Sequence, residues 1–454
     1  MTPWQQLRRT SRASRAFLCA LFVLFNAFAI VRALPINSTL RENREADRGT
    51  YHRNVYRIFR LANRQAALPF FEVKNHAIFF DRNPGLFMFV AELFVRAGAT
   101  TPFPNQLLAI VLWDAGLLLL YLWLLTLFRS ELAAAVALAH LTFTPFVLFY
   151  SSSIHHEPWC FVFFNLTFYC YVSHLRNPGK RSLIATWIAY FLLCQSYWFY
   201  YMSAGLLMIA LQWRERRLSV RDTLILAAVP VVATLTTFLQ VAYALGGIDA
   251  AIFRMKDIAA ARTLDMRIEN SQWYPEKKFL RAHHWKNYPA IVRERLELIS
   301  GTSLSTYVSM LVASIVLAGR AAWHRLGFML VVLLAAASWN IVMIQHTVIH
   351  HFAGMYSWFA WPLIIAVFVH ELELTVRPHR LTHFVVAFAL PLSFITLSRD
   401  YVPFLQRYVT AARTGEPQPS EPPPENKPSK KKKTPQREAP RAADALNDED
   451  MSAD

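Results

Sequence analysis

The apolar residues of this chain are gathered into blocks about as long as a lipid bilayer is thick. Apolar residue types make up 55% of the 454 residues, and only 17% of the residues are charged. A soluble domain can reach that apolar fraction, but not with its apolar residues concentrated in runs of about twenty residues. The sequence therefore predicts an all-α polytopic membrane protein.

We expect eleven membrane-spanning helices from these blocks. They are placed at about 16–34, 105–127, 132–150, 158–174, 183–197, 199–213, 222–244, 304–319, 326–345, 353–370 and 382–397. A basic start followed by a long apolar run favours an uncleaved first helix over a cleaved signal peptide, with the N-terminus in the cytoplasm.

The short loops between alternate blocks are all basic. Their basic residues are Arg129; Arg176, Lys180 and Arg181; Arg214, Arg216, Arg217 and Arg221; Arg320, His324 and Arg325; and Arg377, His379 and Arg380. With eleven spans, all of them lie on the side of the N-terminus, as the positive-inside rule requires of cytoplasmic loops. Topology and lipid headgroups therefore account for the net charge of +17. Nucleic acid is not expected as a partner, since no binding module is recognisable.

The outer side receives the longest polar segments. They are residues 35–104, 151–158, 245–303 and 346–352 and the C-terminal tail. Within the first of them, residues 84–97 are apolar but too short to span, which indicates an interfacial helix lying on the membrane.

The expected domains follow from this layout. They are a cytoplasmic N-terminus (1–15), a first helical module (16–215) that contains the outer loop 35–104, a second set of helices (216–400) with the outer loop 245–303, and a tail (401–454). The tail is rich in Pro, Glu, Lys and Ser from about residue 415, so we expect disorder there.

Side chains able to do chemistry cluster in the outer segments. They include Asp47 and Arg48, Asp81 and Arg82, the turn His155-His156-Glu157, the loop residues Lys277, Lys278, Arg281, His283 and His284, and the later His350 and His351. Carboxylates, histidines and cations at one membrane face can supply a general base, a metal or proton relay, and a clamp for an anionic leaving group. Simpler interpretations stay open: Asp47 as a solvated surface residue, and Glu157 as a helix N-cap before Pro158.

Four motifs follow one another along the chain. They are Asp47-Arg48-Gly49-Thr50-Tyr51 after the first helix, Phe80-Asp81-Arg82-Asn83-Pro84 before the interfacial helix, Glu157-Pro158 in an aromatic outer turn, and the His/Tyr-rich stretch 350–362 with its Pro362. Their order resembles the GT-C superfamily of membrane glycosyltransferases. The branch they resemble contains the lipid A aminoarabinose transferases and the family 39-like protein O-mannosyltransferases. Asn83 replaces a proline of that pattern, and the lysine usual after helix five is absent from Cys194–Trp198.

The resemblance implies a sugar donor linked to polyprenyl or dolichyl phosphate. The acceptor would be a lipid, glycan or protein hydroxyl, at the non-cytoplasmic face of a bacterial inner membrane or of the endoplasmic reticulum. It implies that Asp47, Asp81 and Glu157 are catalytic, with Asp47 as the general base. The substrate and phosphate contacts that it implies are Arg48, Tyr51, Arg82, Lys277, Lys278, Arg281, His283, His284, His350 and Tyr356.

No cofactor is assigned, although a divalent metal ion is a candidate. His155, His156 and Glu157 are its candidate ligands. The resemblance does not decide the matter, because some members of that branch use a metal and others do not. The four cysteines lie in apolar segments without CxxC spacing, which predicts neither a disulfide framework nor a zinc site.

Two other functional classes stay open from the sequence. One is a transporter or flippase for a lipid-linked or anionic solute, for which Asp114 and His140 inside the spans are the relevant residues. The other is a non-catalytic assembly subunit whose outer loop binds a partner. Polar residues crowd one face rather than the spans, which favours an enzyme. No nucleotide-binding motif is present, so the donor of such an enzyme should be membrane-borne.

Overall fold

A computed structural model provides the structure of the chain. It describes residues 3–39, 86, 90, 93, 103–152, 156–198, 200–245, 247–263, 288–293, 296–297, 300–343 and 356–375. Over these ranges the elements are helical and no strand occurs. The helices are α1 (Pro3–Arg8), α2 (Arg12–Thr39), α3 (Phe103–Phe128), α4 (Glu131–Thr142), α5 (Pro145–Tyr150), α6 (Glu157–Arg176), α7 (Lys180–Ser196), α8 (Tyr200–Arg214), α9 (Val220–Leu245), α10 (Ile248–Thr263), α11 (Leu304–Ala318), α12 (Ala322–Val342) and α13 (Ala360–Thr375), with a 3₁₀ turn at Gly319–Ala321.

Four stretches of these helices are long and apolar enough to cross a membrane. They are Arg12–Ile30, Phe103–Phe128, Val220–Ala242 and Ala322–Val342. The all-helical membrane class expected from the sequence is thereby supported. The total of eleven spans and the layout of the loops stay predictions.

The structure corrects three expectations about helix limits. The expected span 132–150 is broken after Thr142, because Thr144 caps a new short helix whose first residue is Pro145. The expected span 353–370 begins only at Ala360. Part of the expected loop 245–303 is helical, as α10. The expected span 382–397 and the tail lie outside the described residues. So does the expected loop 35–104, apart from residues 35–39, which continue α2, the positions 86, 90 and 93, and residues 103–104, which begin α3.

Helices α3 and α6 pack closely at the centre of the bundle. The ring of Phe161 in α6 lies 4.2 Å, centroid to centroid, from Trp113 in α3. Gly116 makes this approach possible, because a Cβ placed there would lie 2.3 Å from Cδ1 of Phe161. Small residues allow such contact between membrane helices, where packing rather than water exclusion drives association.

We expect Gly116→Ala to destabilise the bundle by about 1–3 kcal/mol, the usual effect of overpacking. The Phe161 ring cannot move aside, since it also packs against Trp358 at 4.7 Å. Gly205→Ala is the matched control, because its Cβ would meet only the Tyr190 hydroxyl, at 3.7 Å. The apparent unfolding midpoint of both variants in detergent is the measurement. Equal midpoints for the two variants would contradict the packing account.

Polar groups inside the apolar helices contact one another. Asn26 in α2 donates through Nδ2 to both carboxylate oxygens of Asp114 in α3, at 3.1 and 3.0 Å. Nε2 of His140 in α4 lies 3.2 Å from the Tyr307 hydroxyl of α11. Each contact joins two helices, so both polar groups have a structural role.

Arginines at one end of the bundle bind the C-terminal carbonyls of helices. The carbonyl of Leu127 near the end of α3 accepts from Arg176 Nη2 at 3.0 Å and from Arg214 Nη1 at 3.1 Å. Arg217 donates likewise to the carbonyl of Leu175 in α6. The last carbonyls of a helix lack intrahelical partners and carry partial negative charge, so guanidinium groups stabilise them. The basic loop residues therefore also hold helix ends together.

The N-terminal segment docks on this same end. Gln6 in α1 donates through Nε2 to the carbonyl of Leu122 at 3.0 Å. The carboxylate of Glu131, the first residue of α4, accepts hydrogen bonds from Ser11 and Ser14. Partial burial acts to raise the pKa of Glu131, but these hydrogen bonds outweigh it and leave that pKa below its usual value. We call the end that carries these contacts the basic end.

Candidate functional site

Helix α6 carries a histidine–carboxylate pair at each of its ends. At the basic end, Nε2 of His174 lies 3.2 Å from Oδ2 of Asp222. At the other end, Nε2 of His156 lies 3.3 Å from Oε1 of Glu157. Twenty residues of helix separate the ends by roughly 30 Å, the thickness of a bilayer's hydrocarbon core. We call the end with His156 and Glu157 the site end.

The His156–Glu157 pair is almost completely buried. The side chains of His156 and Glu157 are 1% and 2% exposed, whereas that of Asp222 at the basic end is 27% exposed. Glu157 is the first residue of α6, where the helix dipole favours a carboxylate. The N-cap position belongs to His156, and its side chain makes no capping hydrogen bond. Glu157 is thus not the N-cap that the simpler interpretation of the sequence required.

Two tyrosines extend this pair into a stack of rings. The His156 ring lies parallel to that of Tyr197, with the centroids 3.6 Å apart and 7° between the planes. The Tyr197 ring in turn lies 6.1 Å from that of Tyr356, at 15°. Both tyrosines are buried. The stack joins the turn before α6, the end of α7 and the stretch before α13, which are far apart in the sequence.

An aromatic shell surrounds the stack. Trp339 at the end of α12 lies 5.6 Å from the Tyr356 ring, edge to face. The hydroxyl of Tyr200 accepts a hydrogen bond from Nε1 of Trp358 at 3.2 Å, and its ring meets that of Tyr356 edge to face at 6.2 Å. Side chains with so few rotatable bonds hold the stack in one arrangement at small entropic cost.

An apolar cavity of about 290 Å³ lies beside this shell. The residues next in sequence to Trp339 and Tyr356, which are Asn340 and Ser357, line it. They bond to each other, with Asn340 Nδ2 donating to Ser357 Oγ at 3.4 Å. Leucine, isoleucine, valine and alanine side chains of α11, α12 and α13 form most of the remaining wall. The cavity therefore offers space for an apolar chain next to the stack.

The predicted site residues divide into two groups. Glu157, His156 and Tyr356 lie together at the site end, joined through Tyr197. The others lie outside the described residues and stay predictions: Asp47, Arg48, Tyr51, Asp81, Arg82, His155, Lys277, Lys278, Arg281, His283, His284 and His350.

The candidate metal site is described only in part. His156 Nε2 and Glu157 Oε1, at 3.3 Å, have about the separation of two ligands of one tetrahedral zinc ion. The third candidate ligand, His155, is outside the described residues. Across the described ranges, no group of three or more His, Cys, Asp and Glu side chains is close enough to hold a metal ion. Metal ligation therefore stays a prediction.

Tyr197 is the site residue that sequence reasoning missed. It occupies the stretch after α7 where the resemblance leads one to expect a lysine. Its backbone is extended, with φ −167° and ψ 144°, at the point where α7 ends. The one signal in the sequence was the missing lysine at Cys194–Trp198. That signal suggested the loss of a phosphate contact, and it did not suggest that a tyrosine ring would join the site.

We compared the chain with protein-family models, with curated protein sequences and with solved structures, and none of them matches it. The resemblance to membrane glycosyltransferases thus depends on the four motifs alone.

Proposed function

We propose that this chain is a membrane glycosyltransferase. It moves a sugar from a polyprenyl-phosphate or dolichyl-phosphate donor to an acceptor hydroxyl at the site end, on the non-cytoplasmic face. The acceptor oxygen forms a bond to the anomeric carbon, and the bond from that carbon to the phosphate oxygen breaks. The acceptor proton goes to Asp47, and the lipid phosphate leaves with the electron pair. A single displacement inverts the anomeric centre.

One observation carries the proposal. Two of the four motif stretches, about 200 residues apart in the sequence, contribute to one buried cluster through Tyr197. Glu157 and Tyr356 therefore belong to one site, as the proposal requires. Burial of a carboxylate beside a histidine is costly, which is typical of functional sites.

We assign His156 and Glu157 to the phosphate of the donor. A ring N–H of His156 donates to a phosphate oxygen, and the Glu157 carboxylate favours the positively charged form of that ring through their 3.3 Å contact. The N-terminus of α6 adds the partial positive charge that attracts phosphate groups. The apolar cavity beside the stack suits the first part of a polyprenyl chain.

The transporter alternative has less support. Its two intramembrane residues, Asp114 and His140, each contact a neighbouring helix through Asn26 and Tyr307. Such contacts explain polar groups in apolar helices as interhelical hydrogen bonds. Neither Asp114 nor His140 therefore needs a transport function to explain it.

A donor panel tests the proposal. Purified full-length chain in nanodiscs is given radiolabelled polyprenyl-phosphate sugars, with the wild type beside Asp47→Asn. We expect one donor to lose its sugar, and the variant to be slower by roughly 10²–10⁴-fold, the usual contribution of a general base.

The outcomes separate the class of enzyme from the choice of base. Sugar release that Asp47→Asn leaves unchanged would keep the enzyme class and exclude Asp47 as the base. Folded wild-type protein that releases sugar from no donor would contradict the proposal and favour a transporter or an assembly subunit.

A further inference from the structure

The basic end presents a layer of exposed cations. Four of them lie in the N-terminal segment, two in turns between helices, and three in the first turns of α7 and α9: Arg8, Arg9, Arg12 and Arg15; Arg129 and Arg216; and Lys180, Arg181 and Arg221. The contacts of α1, α3, α4, α6, α8 and α9 described above bring these segments to one end of the bundle.

The carboxylates described at this end are turned inward. Glu131 accepts from Ser11 and Ser14, Glu215 pairs with Arg176 and Arg214, and Asp222 pairs with His174. Glu371 pairs with Arg325, and Glu373 accepts from Ser130. Within the described ranges, each acidic group of the basic end thus has a partner inside the protein, and none of these five residues is exposed. Positive charge is left as the outer layer.

Exposed apolar side chains accompany these cations. Trp323 at the start of α12 is 83% exposed, Leu218 in the turn before α9 is 64% exposed, and Val220, the first residue of α9, is 75% exposed. Tryptophan beside Lys and Arg is typical of the boundary between lipid headgroups and acyl chains. If the partner were a nucleic acid or a soluble acidic protein, the exposed Leu, Val and Trp side chains among the cations would have no explanation.

We propose that the basic end binds the headgroups of anionic phospholipids. The exposed guanidinium and ammonium groups contact the lipid phosphates, while Trp323, Leu218 and Val220 enter the upper acyl region. Arg176, Arg214 and Arg217 take no part, because their guanidinium groups bind Glu215 or the carbonyls of Leu127 and Leu175. Only the outer cations therefore select the lipid. The inference does not depend on the proposed glycosyl transfer.

Lipid retention tests this surface. The full-length chain is reconstituted in nanodiscs that contain equal amounts of phosphatidylglycerol and phosphatidylcholine. The lipids that stay bound to the released protein are then counted by native mass spectrometry. We expect the wild type to retain phosphatidylglycerol several-fold over phosphatidylcholine. Because many cations share this contact, replacing four of them by glutamine should together reduce that preference by roughly two- to fivefold.

A graded series gives the test its control. Arg181→Gln, then Arg181→Gln with Arg221→Gln, then both with Lys180→Gln and Arg216→Gln should lower the preference stepwise. Arg293→Gln removes an exposed charge near the site end, where Arg293 forms a surface pair with Glu297. Its segment lies there because the Tyr288 hydroxyl donates to the carbonyl of Asn340, which follows Trp339. This variant should leave the preference unchanged. Equal retention of both lipids by the wild type, or equal effects of Arg181→Gln and Arg293→Gln, would overturn the proposal.

Discussion

Glu157→Gln should lower the rate of sugar transfer by roughly 10²–10³-fold, within the range for loss of one group in proton transfer or charge stabilisation. Glutamine has nearly the same shape as glutamate and keeps the buried volume filled. It removes the negative charge that lies 3.3 Å from His156. The histidine then loses the group that favours its charged form beside the donor phosphate. We expect kcat to fall while KM changes by only a few-fold, because the contact strengthens as the phosphate departs.

Asp222→Asn is the matched control for that experiment. It breaks the other histidine–carboxylate pair of α6, in which His174 and Asp222 are separated by a similar 3.2 Å. That pair lies at the basic end, about a bilayer's thickness from the site. Transfer by Asp222→Asn should stay within about threefold of the wild type, a small change in barrier. A similar loss of kcat in both variants would show that α6 stability, not the site, is being measured.

Glu215→Gln should destabilise the folded chain by about 3–5 kcal/mol, as expected when one partner of a buried ion pair is removed. Glu215 binds Arg214 at 2.9 Å and Arg176 at 3.1 Å. Burial, together with the positive charge of Arg325, lowers the pKa of Arg214 to about 10. Without the carboxylate, two guanidinium groups would repel each other beside the same helix ends. The apparent unfolding midpoint in detergent is the measurement.

Two further variants define the origin of that loss. Asp249→Asn removes an exposed carboxylate in the first turn of α10 and should change stability by less than about 0.5 kcal/mol. Adding Arg176→Met to Glu215→Gln removes one of the repelling charges, so the double variant should be less destabilised than the sum of the single effects. Strict additivity would contradict the proposed charge network.

Helix positions could be predicted where composition alone decides them. The expected span 105–127 corresponds to α3 at Phe103–Phe128, and 158–174 corresponds to α6 at Glu157–Arg176. Apolar runs bounded by charged residues leave little choice in a bilayer, because every backbone polar group must be paired within the helix. The break at Thr144-Pro145 was available from the same sequence, since a cap residue followed by proline begins a helix. The break was missed because the apolar residues on both sides of Thr144-Pro145 favoured one continuous span.

The candidate site could be predicted only in part. Glu157 and Tyr356 were predicted as site residues from the order of the motifs, and both lie in the one cluster that the structure describes. Tyr197 could not be found, because its role comes from the position at which α7 ends and the chain turns towards α8. The inward pairing of five carboxylates could not be predicted either, since each has a partner far away in the sequence: Glu131, Glu215, Asp222, Glu371 and Glu373. Local sequence patterns do not contain such tertiary pairings.

The most direct test of the central claim measures how many lipid phosphate molecules are released for each sugar transferred. Nanodisc-embedded wild-type chain is incubated with the donor that the panel identifies and with its acceptor. Mass spectrometry then counts both the glycosylated acceptor and the free lipid phosphate. We expect one molecule of lipid phosphate for each sugar transferred, because the reaction breaks the bond between the anomeric carbon and the phosphate. Donor that crosses the bilayer or stays bound with its sugar–phosphate bond intact would contradict the account.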